Sequence, residues 1–171
     1  MGWRGFTLVE LLVVLAVMGI LLTIAIPGYA FLMNTNRLAA VTNDLVSAIQ
    51  LARSEAIKRG MRVTVCKTSN AMAVTPTCDT TASWQQGWLV FVDGGTRGVI
   101  DPSDTLLWLQ DRASTVATIT TSNYNNFISY LPGGVSQGSN GLANGTLRVC
   151  VAGNRRDIII NTTGQIGRAH V

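Results

Sequence analysis

The sequence is poor in charge and in the side chains that do catalysis. Only 13% of its 171 residues are charged, and His170 is the single histidine. The three cysteines, Cys66, Cys78 and Cys150, fall at no metal-ligand spacing, so no zinc site or other metal site is expected. No Ser or Cys nucleophile is set beside a base by pattern, and no pair of carboxylates stands out. No catalytic residue is therefore assigned, no cofactor is expected, and the chain does not read as an enzyme. Proline is rare at four residues while glycine is plentiful at 17, a balance that suits short strands joined by tight turns. The net charge of +4 is too small to argue by itself for nucleic acid. Neither an internal repeat nor a long low-complexity linker interrupts the chain, whose length fits one domain with a core plus one extended element.

Hydrophobicity is concentrated at one end. From Phe6 to Ile26 the chain is apolar apart from Thr7, Glu10 and Thr23. As a helix this stretch would span roughly 30 Å, the hydrocarbon thickness of a bilayer. A secretory signal peptide would have a shorter apolar core and then small residues at a cleavage site. Here the apolar run passes directly into Ala25-Ile26-Pro27 and a helical pattern. Arg4 precedes the span, which favours an N-terminus on the cytoplasmic side. On hydropathy alone a simple signal anchor is the plain alternative. Glu10 argues for more, because a carboxylate within the membrane costs on the order of 3 kcal/mol on insertion scales. No Lys or Arg follows it within a helical turn or two, so its partner must come from elsewhere. A newly made α-amino group at Phe6 is such a partner.

Beyond Pro27 and Gly28 the pattern turns amphipathic. Leu38, Val41, Leu45, Ile49, Ala52 and Ala56 recur at intervals of three and four, with Arg37, Asn43, Asp44, Gln50 and Arg53 on other faces. Lys58 and Arg59 followed by Gly60 form a C-terminal signal: cations at the negative end of the dipole, then a residue free to adopt positive φ. The spacing predicts one helix over 6–60, with a kink at Pro27. The remainder, 61–171, is a series of short β-prone runs at 61–66, 87–93, 105–110, 115–121, 127–131, 146–152, 157–161 and 165–171. Turn chemistry such as Asp93-Gly94-Gly95, Pro132-Gly133-Gly134 and Thr163-Gly164 separates them, and 136–145 reads as a polar Gly/Asn-rich loop. The fold class is α+β: a long N-terminal helix packed on an antiparallel β-sheet head.

Two motifs carry a family resemblance. Gly5-Phe6-Thr7-Leu8-Val9-Glu10-Leu11-Leu12 resembles the signal of type IV pilins and type II secretion pseudopilins. Trp84-Gln85-Gln86-Gly87-Trp88-Leu89-Val90-Phe91-Val92-Asp93 resembles the W-x-x-G-W-x-V-F-x-D signature of the minor pilins and pseudopilins that include FimT, FimU and GspH. Cys66, Cys78, Leu106-Leu107 and Leu147-Arg148-Val149-Cys150 agree with that pattern. The resemblance implies the type IV pilin fold. It also implies that prepilin peptidase removes residues 1–5 as a leader, cutting between Gly5 and Phe6 and methylating Phe6. The mature chain would hold a transmembrane helix at about 6–26, a helix to residue 60 and a β-rich head over 61–171. Glu10 would pair with the N-terminal amine of a neighbouring subunit and so fix register during assembly. The implied partners are the inner membrane before assembly and then other minor and major pilins. The chain would be a single-pass inner-membrane protein with its head in the periplasm, later placed at a pilus or pseudopilus tip. Its role would be that of a minor pilin in a tip or priming complex, or of an H-type minor pseudopilin.

The other candidates have plainer readings beside them. A periplasmic head permits disulfides. Cys66 with Cys78 is the first pairing to expect and Cys66 with Cys150 the rival; sequence alone leaves both open. Trp84, Trp88 and Phe91 read as core residues that mark the fold. Asp93, Asp101 and Asp104 lie among glycines, and some major pseudopilins bind calcium in their heads. The calcium-loop spacing is absent here and Arg97 sits in the middle, so a solvated hairpin is expected. FimT-type proteins bind DNA through a G-R-x-R motif. Here Gly167-Arg168-Ala169-His170 replaces the second arginine with histidine, leaving Arg155, Arg156 and Arg168 as the DNA-binding candidates against a final strand with solvated arginines.

Overall fold

The computed structural model describes residues 7–112 and 116–170, with residues 24, 27 and 168–170 described by their backbone alone. Helix α1 runs from Leu8 to Arg59 and its backbone stays helical through Pro27. It ends where Gly60 adopts the left-handed conformation at φ 62°, after Lys58 and Arg59 in the last turn, both paired with Glu55. The expected apolar face is found: Leu38, Val41, Leu45, Ile49, Ala52 and Ala56 are all buried, joined by Val46 and Ala48. Thr42 sits among them because its hydroxyl donates to the Leu38 carbonyl at 2.6 Å, so burial leaves no polar group unsatisfied.

The strands are β1 (Val63–Lys67), β2 (Trp88–Val92), β3 (Thr105–Gln110), β4 (Ala117–Ser122), β5 (Phe127–Tyr130), β6 (Ser136–Gly138), β7 (Gly145–Val151), β8 (Asn154–Ile160) and β9 (Ile166–His170). They build two antiparallel sheets rather than one. The first has the order β3-β2-β1-β5-β6 and the second β4-β7-β8-β9. Both lie on the second half of α1. In the four-stranded sheet one face only is covered, so β7 alternates: Leu147, Val149 and Val151 are buried while Arg148 faces solvent.

β1 and β2 are buried on both faces. One face joins the main core with α1. The other meets a second cluster of Cys66, Ala71, Leu89 and Phe91, against which Cys78, Ile100 and Phe127 pack. The connections 68–87 and 93–104 supply that cover.

Two elements differ from expectation. Within 136–145, read as a loop, Ser136–Gly138 pairs with β5. Ser136 is buried with its hydroxyl against the Tyr124 hydroxyl at 3.1 Å and the Ala143 carbonyl, so tertiary packing overrides weak strand propensity. β8 begins at Asn154, earlier than the expected residue 157. Ala152 and Gly153, both at positive φ, make a tight hairpin that forces Asn154 and Arg155 into register with Val151 and Cys150.

Candidate functional site

The start of α1 is built by a reciprocal cap. Thr7 takes an extended conformation and its hydroxyl accepts from Glu10 N at 3.2 Å. The Glu10 carboxylate accepts in return from Thr7 N at 3.5 Å. Glu10 is exposed and enters no ion pair among the described residues. Gly5 and Phe6 lie outside the described residues. The cap holds the carboxylate against the first turn of α1. The sequence signal for Thr7 as a cap, Thr-x-x-Glu before an apolar run, was present in the motif.

The apolar half of α1 packs on none of the other described residues. Leu8 is 74% exposed and Leu22 50%, and mean hydropathy reaches 2.8 over an 18-residue window that is 0% buried. By length and composition this helix can cross a membrane.

The head signature serves the fold. Trp84, Trp88 and Phe91 are buried, and Trp84 Nε1 donates to the Tyr124 carbonyl at 3.0 Å. Gly87 is required sterically: at φ 143° a Cβ would stand 2.6 Å from the Gln110 carbonyl oxygen. Asp93, the last residue of the signature, is a buried clamp. Its carboxylate accepts from Arg62 Nη2 at 2.7 Å, Thr64 Oγ1 at 2.6 Å and Gly98 N at 2.9 Å. Thr64 also meets Ser129 at 2.7 Å. Arg62, Thr64 and Ser129 gave no signal in the sequence. Asp101 and Asp104 cap their own turn, Asp101 accepting from Thr96 N and Asp104 from Gly94 N and Asp101 N. These three carboxylates are committed to protein donors, and among the described residues no cluster of metal-ligating side chains forms.

Cys66 and Cys78 are bonded, with Cα atoms 5.6 Å apart, and Cys150 is free. The bridge closes the loop that covers the second core. Cys150 lies in the other sheet, on β7, opposite Thr118 and Arg155.

Arg148, Arg155 and Arg156 are divided between the two faces of the four-stranded sheet. Arg148 is bound to Asp157 by two hydrogen bonds of 3.0 and 3.1 Å. Those bonds hold the Asp157 carboxyl below its usual range, against a smaller opposing effect of burial. Arg155 and Arg156 are consecutive in β8 and therefore point to opposite faces. The backbone of Arg168 pairs opposite Ile158 and that of His170 opposite Arg156.

Comparison with curated proteins finds no match. The profile of the family described as Type II transport protein GspH matches residues 41–164, and the prokaryotic N-terminal methylation motif matches residues 4–26. Among solved structures, the type IV minor pilin FimU of Pseudomonas aeruginosa is similar in fold in two crystal forms. One has a TM-score of 0.58 at 18% identity, covering 79% of this chain and 90% of that one. The other has a TM-score of 0.54 at 18% identity, covering 77% and 92%. With most of the head and the N-terminal motif both accounted for, the chain belongs to the GspH family of minor type IV pilins and pseudopilins.

Proposed function

We propose that the chain is a minor pilin that joins other minor pilins in a tip or priming complex and helps start a type IV pilus. Prepilin peptidase would cut between Gly5 and Phe6, release residues 1–5 and methylate Phe6, in keeping with the methylation motif over 4–26. The α1 anchor would hold the chain in the inner membrane with the head in the periplasm. Pro27, which lacks an N–H, would let the anchor half bend relative to the head. Glu10 would leave its cap to meet the amine of a neighbouring subunit, and two buried charges satisfy each other only at the correct stagger. Members of this family are structural, and the chain is not an enzyme.

The observation that carries the reading is the pairing of an exposed, cap-held Glu10 with an apolar half-helix that no other described residue covers. Deleting the gene and counting surface pili in the native host tests it, together with antibody labelling of fibre ends. Loss of pili with end labelling is expected, and unchanged piliation with no label on fibres would sink it. The family profile favours a second reading, an H-type subunit of a type II secretion pseudopilus. Neighbouring genes discriminate the two, since pilus genes and secretion genes would flank it respectively. DNA uptake through Arg155, Arg156 and Arg168 ranks behind both, because Arg155 and Arg156 share no face and Arg148 is already spent on Asp157.

A further inference from the structure

An edge strand presents alternate N–H and C=O groups to whatever lies beside it. The two sheets end in four such strands: β3, β6, β4 and β9. β6 is three residues long and its far side is closed by the following loop, with Gly138 N donating to the Leu142 carbonyl at 2.8 Å. β4 is covered by the Trp84–Gln86 turn, the Gln85 side chain accepting from Ile119 N at 3.3 Å. β9 is the last strand of its sheet, and its residues 168–170 are described by their backbone alone.

Among the described residues β3 has no covering loop, and its one irregularity is a bulge in its pairing with β2. Its sequence, Thr-Leu-Leu-Trp-Leu-Gln, contains no charge, proline or glycine. Leu106, Trp108 and Leu109 are 36%, 40% and 39% exposed. A bulge opposite Val90/Phe91 leaves Leu107 on the main core and pairs Leu106 with Phe91 and Leu109 with Leu89. Leu106 and Leu109 therefore share the face of the second core. Beside Leu106 opens a mostly apolar cleft of about 350 Å³ lined by Val74, Pro76, Ile100 and Pro102, with Asp101 also in its wall and accepting from Thr96 N at 3.0 Å. The loop that forms one wall of the cleft is braced. The Cys66–Cys78 bridge staples it, and the Asn70 side chain accepts from Thr77 N at 3.1 Å and donates to Thr77 Oγ1 at 3.3 Å.

We propose that β3 accepts, by strand addition, an uncharged extended segment from the head of an adjacent pilin-class subunit, with one of its apolar side chains entering the cleft beside Leu106. Unpaired main-chain groups select an extended backbone, and a charge-free edge selects neutral, apolar side chains on it. A preformed cleft keeps the ordering cost low. The inference rests on the fibre-subunit reading and deepens it by naming where a neighbour attaches.

The test places a photoreactive benzophenone residue at position 106, 108 or 109 of the full-length chain in cells that assemble the fibre, with position 159 on the outer face of β8 as control. Cross-linked peptides are then sequenced by mass spectrometry. Probes in β3 are expected to reach one continuous segment of one pilin-class head, with the contact moving along that segment as the probe moves. Leu109→Lys is expected to lower fibre incorporation roughly tenfold while Ile159→Lys leaves it unchanged. A single alkylatable cysteine in each variant verifies that the Cys66–Cys78 bridge, and with it the head, has formed. Incorporated chains without register-dependent cross-links, cross-links to a second copy of this chain, or equal capture at position 159 overturn the edge assignment and leave the pilin reading intact. A chain that never enters a fibre overturns both.

Discussion

Asp93 and Arg62 meet between the end of β2 and the start of β1, Arg62 Nη2 donating to Asp93 Oδ1 at 2.7 Å with the carboxylate fully buried. Thr64, Gly98 and Arg62 together satisfy that carboxylate, and Arg62 also reaches the Gly95 carbonyl, so one charge ties β1, β2 and the 93–104 loop. Asp93→Ala strands Arg62 and leaves Thr64 short of an acceptor. A loss of about 3 kcal/mol is expected, the range for breaking a buried pair. Urea denaturation of the detergent-solubilised chain measures it, and a loss under about 1 kcal/mol would contradict the clamp role.

The disulfide should behave as a staple of the second core alone. For so short a loop, removing the bridge with Cys66→Ser is expected to cost roughly 3 kcal/mol. Cys150→Ser is expected to stay within about 0.5 kcal/mol. Peptide mapping without reduction should find Cys66 joined to Cys78 and Cys150 open to alkylation. A Cys66–Cys150 peptide would contradict the structure.

How far the fold was legible follows from what each residue had to reveal. α1 was readable because its buried face repeats at three and four and its C-terminal end carries Lys58, Arg59 and Gly60, whereas the Thr7 cap, which starts it at Leu8, went unread. Most strands were readable from apolar runs between turns. The division into two sheets was not, because strand pairing depends on contacts far apart in sequence, as in Val63 pairing with both Val92 and Tyr130. The Arg62, Thr64 and Ser129 partners of Asp93 were invisible for the same reason. A threonine in an apolar strand looks like any strand threonine until its neighbours are placed.

The hairpin between β7 and β8 stores strain. Ala152 holds φ 48° beside Gly153 at φ 85°, a geometry that suits Asn-Gly far better than Ala-Gly. Ala152→Asn is expected to stabilise the head by about 1 kcal/mol, by relieving a left-handed alanine. Thermal unfolding of the two chains side by side checks this, and a lower midpoint for the variant would contradict it.

Acid should weaken the head. Asp79 is held well below the usual carboxylate range, first by the Ser69 hydroxyl and then by the Thr81 hydroxyl and N–H, and Asp157 is held low chiefly by Arg148. A depressed folded value means that the native state binds fewer protons than the unfolded chain in acid. This stabilisation is therefore complete above about pH 4, near the unfolded value, and disappears as pH falls through the folded values. Denaturation midpoints between pH 7 and pH 2 should drop below pH 4, and Asp157→Asn should flatten part of that drop. A midpoint that rises on acidification would contradict the assignment.

The central claim is that Glu10 carries the charge that a neighbouring subunit must meet. Its cap with Thr7 complicates a simple deletion, because Glu10→Ala removes cap and charge together. Glu10→Gln separates them, since glutamine can keep the cap without the charge. The deciding measurement is the fraction of wild-type, Glu10→Ala and Glu10→Gln chain recovered in sheared surface fibres against the fraction left in the membrane. The account expects both variants to remain in the membrane, whereas recruitment equal to wild type for Glu10→Gln would contradict it.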